Sequence, residues 1–262
     1  MITHFAELEL QTVSVDGVKQ VYADHLGFPI EGEEDQSVTF AITPHTTLRF
    51  VEQFEPIAPA HFAFQVSYRA FFRAVDVLKE MGVLVISEVR DSGFQRVLYF
   101  RDGDGNILEI IAFDYIPEDV LPALHPLQVL YLREVGFPVK QVAACRKWMA
   151  SILDLKKSDN SSPQFGFMVG GTSHAVVVDQ MRPWIPIGMR ALPPPMRLVW
   201  GTPSLTYLGC VRKRLRAQDV EVTEGAGEIT FGLEEYQLGL RHTPEFSADI
   251  PARLRLPEVL DQ

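Results

Sequence analysis

Cysteine is scarce in this chain, with Cys145 and Cys210 the two examples among 262 residues. That excludes a disulfide framework and a CxxC metal or redox pair. Both thiols sit in apolar-patterned segments and read as buried. Long hydrophobic runs are missing too, and nothing approaches the ~18 consecutive apolar residues of a membrane span. The first residues, MITHFAELEL, lack the basic and apolar regions of a signal peptide. Positive charge is short: 24 Lys and Arg stand against 34 Asp and Glu, a net charge of −10. Nucleic-acid affinity rests on cations that neutralise phosphates, so that partner is excluded. These absences predict a cytosolic protein with no membrane or nucleic-acid partner. What remains is ordinary globular composition, 47% apolar and 22% charged, on a chain long enough for a generous core or two modest domains.

The most informative stretch runs from Val97 to Ala112, VLYFRDGDGNILEIIA. Two apolar runs flank Asp102-Gly103-Asp104-Gly105-Asn106, which is tight-turn chemistry and predicts a β-hairpin. In its second strand Glu109 stands between Leu108 and Ile110, so it points to the opposite face from them. That face is either solvated or a cavity that tolerates charge.

Elsewhere the pattern repeats. ELELQTV, from Glu7, alternates as a strand with Glu7, Glu9 and Gln11 on one face. A helix follows through Val18, Tyr22 and Leu26 and is closed by Gly27. Short strands Ser37 to Ile42 and Thr46 to Val51 complete the unit. After Pro56 and Pro59 a second unit begins with the strand HFAFQV, a helix over Phe71, Val75 and Leu78, a strand over Val83 to Val89, and the hairpin. Each unit reads βαβββ over roughly fifty residues, a period that argues for duplication. A proline-containing bridge leads to a second half, where Glu134 falls on Glu7 and Leu153 on Leu26 at one offset of 127. The run Leu192 to Pro195 can be neither helix nor central strand and links a third unit to a fourth. The expected division is an N-terminal domain 1–115 (units about 1–53 and 54–115), a linker 116–127, a C-terminal domain 128–245 (units about 128–190 and 195–245), and a tail 246–262.

Four βαβββ units in two pairs, with ELELQT…VYADHLGF, HFAFQV and YFRDGDGNILE at their places, resemble the vicinal oxygen chelate superfamily. That group includes glyoxalase I, extradiol ring-cleaving dioxygenases and the bleomycin resistance proteins. The segment RPWIP, Arg182 to Pro186, is similar to one in two-domain members of unassigned function. The resemblance implies an α+β fold of two open-barrel domains, each a cup made by two units. It also implies a divalent metal (Fe²⁺, Mn²⁺, Ni²⁺ or Zn²⁺) held by residues of the units' first and last strands.

Carried over position by position, the resemblance makes His61, Glu109 and Glu7 the metal ligands. Arg49 falls on the fourth ligand position, where an arginine cannot bind a metal, and is expected to pair with Glu7 or a substrate. Tyr99 matches a tyrosine that touches substrate oxygen in the dioxygenases, and Glu7 is the candidate for moving protons. Glu9, Gln65 and Arg49 line the expected cup as substrate contacts. The second half has Gly239 at the Glu109 position and no histidine at the His61 position, so the site is expected within about 1–115. The histidines His4 and His25, and His174 in the second half, read as surface residues.

Two functions follow from the resemblance. One is a metal-dependent enzyme, a lyase, isomerase or ring-cleaving dioxygenase, on a small substrate with vicinal oxygens. The other is a metal-free small-molecule binder of the bleomycin-resistance kind, motivated by Arg49 and the acidic residues Glu7, Glu9 and Glu109. Free sheet edges predict packing of the halves on each other or a homodimer.

Overall fold

Strict alternation builds the strands, and four modules follow one another as the pattern predicts. The computed structural model describes residues 1–55, 57–158, 161–184 and 187–256. Pro56, the Ile185–Pro186 end of the RPWIP segment and the tail beyond 256 lie outside them. Module one contains β1 (His4–Thr12), α1 (Val15–Lys19) continued by a π-helix (Gln20–His25), β2 (Ile30–Glu34), β3 (Ser37–Thr43) and β4 (Thr46–Glu52). Module two contains β5 (His61–Val66), α2 (Phe71–Glu80), β6 (Leu84–Val85), β7 (Arg90–Asp91), β8 (Gln95–Arg101) and β9 (Ile107–Phe113). Of the strand expected over Val83 to Val89, only Leu84–Val85 forms, and a second short strand follows at Arg90–Asp91.

Module three contains β10 (Val129–Val139), α3 (Val142–Leu153), β11 (Lys156–Lys157), β12 (Phe165–Gly170) and β13 (Ser173–Asp179). Module four contains β14 (Met196–Thr202), α4 (Leu205–Arg216), β15 (Val222–Gly225), β16 (Glu228–Leu233) and β17 (Tyr236–His242), and is followed by α5 (Ile250–Arg253).

The fold class is as expected, α+β with paired modules. The partners are not. One sheet runs β15-β16-β17-β14-β1-β4-β3-β2 and the other β11-β12-β13-β10-β5-β9-β8-β6. Module one thus joins module four through β1 and β14, and module two joins module three through β5 and β10, both antiparallel. Residues 1–115 do not make one cup of their own, which corrects the expected domain division. The physical reason is that each first strand offers one free edge, and local pattern says nothing about which distant edge fills it.

Both junctions carry the same irregularity. The β1–β14 register shifts between Phe5 and Glu7, and the β10–β5 register shifts between Leu132 and Glu134. An extra residue in one strand breaks the two-residue side-chain period there. Phe5, Leu8 and Leu10 can then all be buried while Glu7 and Glu9 face the other way.

The turn Asp102–Asn106 is a buried fastening. Asp102 Oδ1 accepts from the Asn106 and Asp104 amides at 2.8 and 3.1 Å, and Oδ2 accepts from the Tyr22 hydroxyl at 2.7 Å. Asn106 Oδ1 accepts the Ala60 amide at 2.8 Å. The hairpin of module two is tied in this way both to the first helical segment and to the start of β5. Gly105, at φ +82°, supplies the left-handed turn residue.

One core joins the helices to the inner faces of both sheets, through Phe5, Trp200, Phe137 and Tyr236 among others. After Thr243 the chain packs Phe246, Ile250 and Leu254 on Ile116, Leu121 and Tyr131. His4 is buried beneath that segment, stacked on Phe246 at 4.1 Å, and is not the surface residue expected. Cys145 is buried as predicted, whereas Cys210 is exposed on α4.

Because modules pair across the halves, a chain ending at residue 115 loses both β14 and β10. It bares two central strand edges. Such a fragment is expected to show no cooperative urea transition and to aggregate, while the full chain unfolds cooperatively. A monomeric fragment with a sharp transition would contradict this pairing.

Candidate metal centre

The junction of β5 and β10 builds a cavity. On β5, Phe62, Phe64 and Val66 enter the core, which leaves His61, Ala63 and Gln65 on the opposite face. On β9, Leu108 and Ile110 enter the core and Glu109 faces away. Ala63 is the register partner of Glu109 on one side and of Glu134 on the other. A single methyl therefore separates two carboxylates, with His61 two residues along the same face. The bulge at Arg133 lets β10 present Glu134 to the cavity beside Arg133. The ligand atoms of His61, Glu109 and Glu134 all lie within 4.8 Å of one another, and all three residues are buried.

His61 Nδ1 sits 3.1 Å from the Ile107 carbonyl, which only accepts, so Nδ1 carries the proton and Nε2 presents its lone pair. Nε2 is 3.7 Å from Glu109 Oε2. A lone pair facing a carboxylate is a contact that wants a proton or a cation between them. Burial lowers the His61 pKa to about 4, which leaves the ring neutral at physiological pH. Burial first, and the Glu134 carboxylate second, push Glu109 well above the usual carboxylate range. Burial also raises Glu134, against the pull of Arg133.

Among the described residues, Arg133 is the one buried cation at the carboxylate pair. Its Nε lies 3.5 Å from Glu134 Oε1, and its Nη1 donates at 3.4 Å to both Gln65 Oε1 and the Tyr131 hydroxyl. Its guanidinium stands over the Phe113 ring at 4.6 Å. Tyr99, the register partner of Glu109 on β8, faces the same cavity. Burial and Glu109 together raise its pKa, so it stays a neutral hydroxyl. The space has a volume of about 710 Å³ and is walled by Phe165, Phe167 and Trp184 as well. Gly136 leaves room for Trp184: a Cβ there would stand 2.8 Å from the indole and 3.3 Å from His61 Cβ.

Of the expected site residues, the structure brings together His61, Glu109 and Tyr99, with Gln65 beneath them on Arg133. Glu7, Glu9 and Arg49 lie in the other sheet. There Glu7 accepts from Arg197 and, at 2.7 Å, from Arg241 Nη2. Glu228 joins the same two arginines, accepting from Arg197 and from Arg241 Nε at 2.6 Å, so four charges close a ring. Arg49 does not meet Glu7. It lies 3.7 Å from Glu9 and 3.2 Å from Glu34.

Register shows that the two cups are built on one plan. Ala63, two after His61, pairs with Glu109 and Glu134; Glu9, two after Glu7, pairs with Arg49 and Arg197. Arg197 thus stands where Glu134 stands. The fourth positions are Val176, opposite Gly136, and Gly239, opposite Val199. The sequence expectation missed Glu134 as a site residue, although the alignment of Glu134 with Glu7 marked it as a first-strand ligand position. His174 is the register partner of Glu134 and is half-buried near Phe167, not a surface residue.

Comparison with known proteins agrees with this architecture. Residues 2–110 match the family model of the Glyoxalase/Bleomycin resistance protein/Dioxygenase superfamily. The resemblance seen in the sequence holds. The chain has the glyoxalase-superfamily fold. Glyoxalase I from Zea mays is similar over 95% of this chain and 96% of its own, at TM-score 0.59 and 12% identity. A candidate dioxygenase from Bacillus subtilis is similar over 92% of this chain and 85% of its own, at TM-score 0.69 and 13% identity. No curated relative matches the sequence. Identities this low establish the shared fold and leave the chemistry to the residues. Among the described residues no helix is long and apolar enough to cross a membrane.

Removing one member of a buried ion pair costs about 3–5 kcal/mol because the other is left uncompensated. Arg133→Leu is therefore expected to lower the unfolding free energy by about 3 kcal/mol at pH 8, read by urea titration. The loss should shrink at pH 6, where Glu134 takes up a proton more readily. A loss below about 1 kcal/mol at pH 8 would contradict the role given to Arg133.

Proposed function

We propose that this protein is a metal-dependent enzyme of the glyoxalase/dioxygenase type, acting on a small substrate with two vicinal oxygens. One observation carries the proposal. Two buried carboxylates and an imidazole lone pair converge within 4.8 Å, and the adjacent cation, Arg133, offsets only one negative charge. A buried carboxylate charge left without a partner is costly, and a dication removes that cost. One imidazole and two carboxylates suit Fe²⁺, Mn²⁺, Ni²⁺ or Zn²⁺. His61, Glu109 and Glu134 would hold the ion, which supplies a Lewis acid for an enolate or catecholate.

The chain's own residues do the rest. Val176, at the fourth ligand position, offers no donor atom and leaves that side of the site to substrate. Tyr99 is a neutral hydroxyl, so it serves as a hydrogen-bond donor to substrate oxygen or to Glu109 and not as a base. The proton-moving role expected of Glu7 loses its basis, since Glu7 lies in the other sheet and is engaged by Arg197 and Arg241. The metal-free alternative keeps only Glu109 of its motive, because Arg49, Glu7 and Glu9 lie in the other sheet.

Protein purified without chelators is expected to hold close to one of these metals per chain. EDTA should lower its melting temperature and the metal restore it. Glu109→Ala, Glu134→Ala and His61→Ala are each expected to weaken binding at least tenfold, and Glu7→Ala to leave occupancy intact. Affinity should fall with falling pH, because protons compete for two carboxylates whose pKa values are raised. Loss of metal in Glu7→Ala but not in Glu134→Ala would overturn the assignment. Ligand stabilisation indifferent to EDTA would favour the metal-free binder.

A further inference from the structure

Beyond its ligand set, the cavity has a composition that the metal does not explain. Two arginines, Arg90 on β7 and Arg182 after β13, line it. Neither forms an ion pair with any described residue. Six arginines, Arg96, Arg197, Arg212, Arg214, Arg216 and Arg241, each have a carboxylate within 3.0 Å; of those without an ion pair among the described residues, Arg90 and Arg182 are the ones that line the cavity. The nearby acid Asp91 is taken up by Arg96, Nε to Oδ2 3.0 Å. Arg182 stacks its guanidinium over the Phe165 ring at 4.6 Å, which orders the fork, and its side-chain donors meet no acceptor among the described residues. Its backbone is fixed as well, donating to the Asp179 carbonyl at 2.9 Å and accepting from Ala191 at 2.9 Å.

The same wall is aromatic. Phe165, Phe167 and Trp184 face the space, and the Trp184 ring lies 5.2 Å from that of His61. Trp184 is only 6% exposed, yet its indole Nε1 has no acceptor among the described residues. Charge points the same way. With Arg133 counted, a dication more than neutralises Glu109 and Glu134, so a cavity that also holds Arg90 and Arg182 is net positive.

Resting on the metal-dependent reading above, we propose that the substrate is a planar aromatic anion. It carries a carboxylate-type group in addition to its two vicinal oxygens, and Arg182, assisted by Arg90, is the residue that selects for that group. The ring lies among Phe165, Phe167 and Trp184, and the anion reaches the arginines at the cavity wall. A planar carboxylate matches the guanidinium fork and gives charge-assisted hydrogen bonds.

The test is calorimetric titration of Mn²⁺-loaded protein, without oxygen, with catechol and with 3,4-dihydroxybenzoate. The two share the chelating pair and differ in the carboxylate. Metal content is measured on the same samples. The carboxylated probe is expected to bind at least tenfold more tightly, and added salt should weaken it alone. Arg182→Gln should bring the two probes within about twofold while catechol is unaffected, and Arg90→Gln should reduce the preference in part. Equal affinities in the unmodified protein overturn the inference, as does a preference that survives both substitutions. Failure of both probes on metal-loaded protein also overturns it, and the metal assignment then stands. Protein that takes up no metal overturns the metal assignment itself, and this inference with it.

Discussion

Two carboxylates meet across one alanine. Ala63 is the register partner of both Glu109 and Glu134, and this contact sets the character of the whole molecule. Strands in a sheet lie about 4.8 Å apart, so like charges flanking a methyl have nowhere to go. Burial makes their repulsion stronger than it would be in water. Arg133 answers part of it, brought to the same face by the bulge in β10. The rest is left for a cation or for protons; burial raises the pKa of both carboxylates, joined at Glu109 by the neighbouring Glu134 charge.

The other cup shows the same scaffold with the charge resolved internally. Arg197 occupies the place of Glu134, and Glu7 and Glu228 alternate with Arg197 and Arg241 around a closed ring. Each carboxylate has two guanidinium partners and each guanidinium two carboxylates. No cation deficit is left there, and this contrast supports the proposal of a metal in the His61 cup. At matching positions the two cups differ in Glu7 for His61, Arg49 for Glu109 and Arg197 for Glu134, and Glu228 and Arg241 complete the ring in the first. Duplicated modules have thus diverged into a charge-complete pair and a charge-deficient pair.

The fold was legible in the sequence because its signals are local. Alternation gave β1, β5 and β9, the Gly-closed helix after β1 was readable, and Asp102 to Asn106 announced the hairpin. His61, Glu109 and Tyr99 were reachable for the same reason, all lying within one densely patterned module. Glu134 was not, because its place depends on which distant strand fills the edge of β5. Alternation failed again wherever a bulge shifts the period. Counting by twos puts His4 on the wrong face of β1, and Arg133 and Glu134 on opposite faces of β10, although they lie 3.5 Å apart. Trp184 was missed because its role arises from a gap at Gly136 that exists only once β10 and the segment after β13 meet.

The most direct test is an anomalous-scattering crystal structure of the protein loaded with Mn²⁺. The account predicts one peak per chain at the junction of β5, β9 and β10, ligated by His61 Nε2 and by the carboxylates of Glu109 and Glu134. A peak in the cup of Glu7, Arg197, Glu228 and Arg241, or none at full Mn²⁺ saturation, would contradict it.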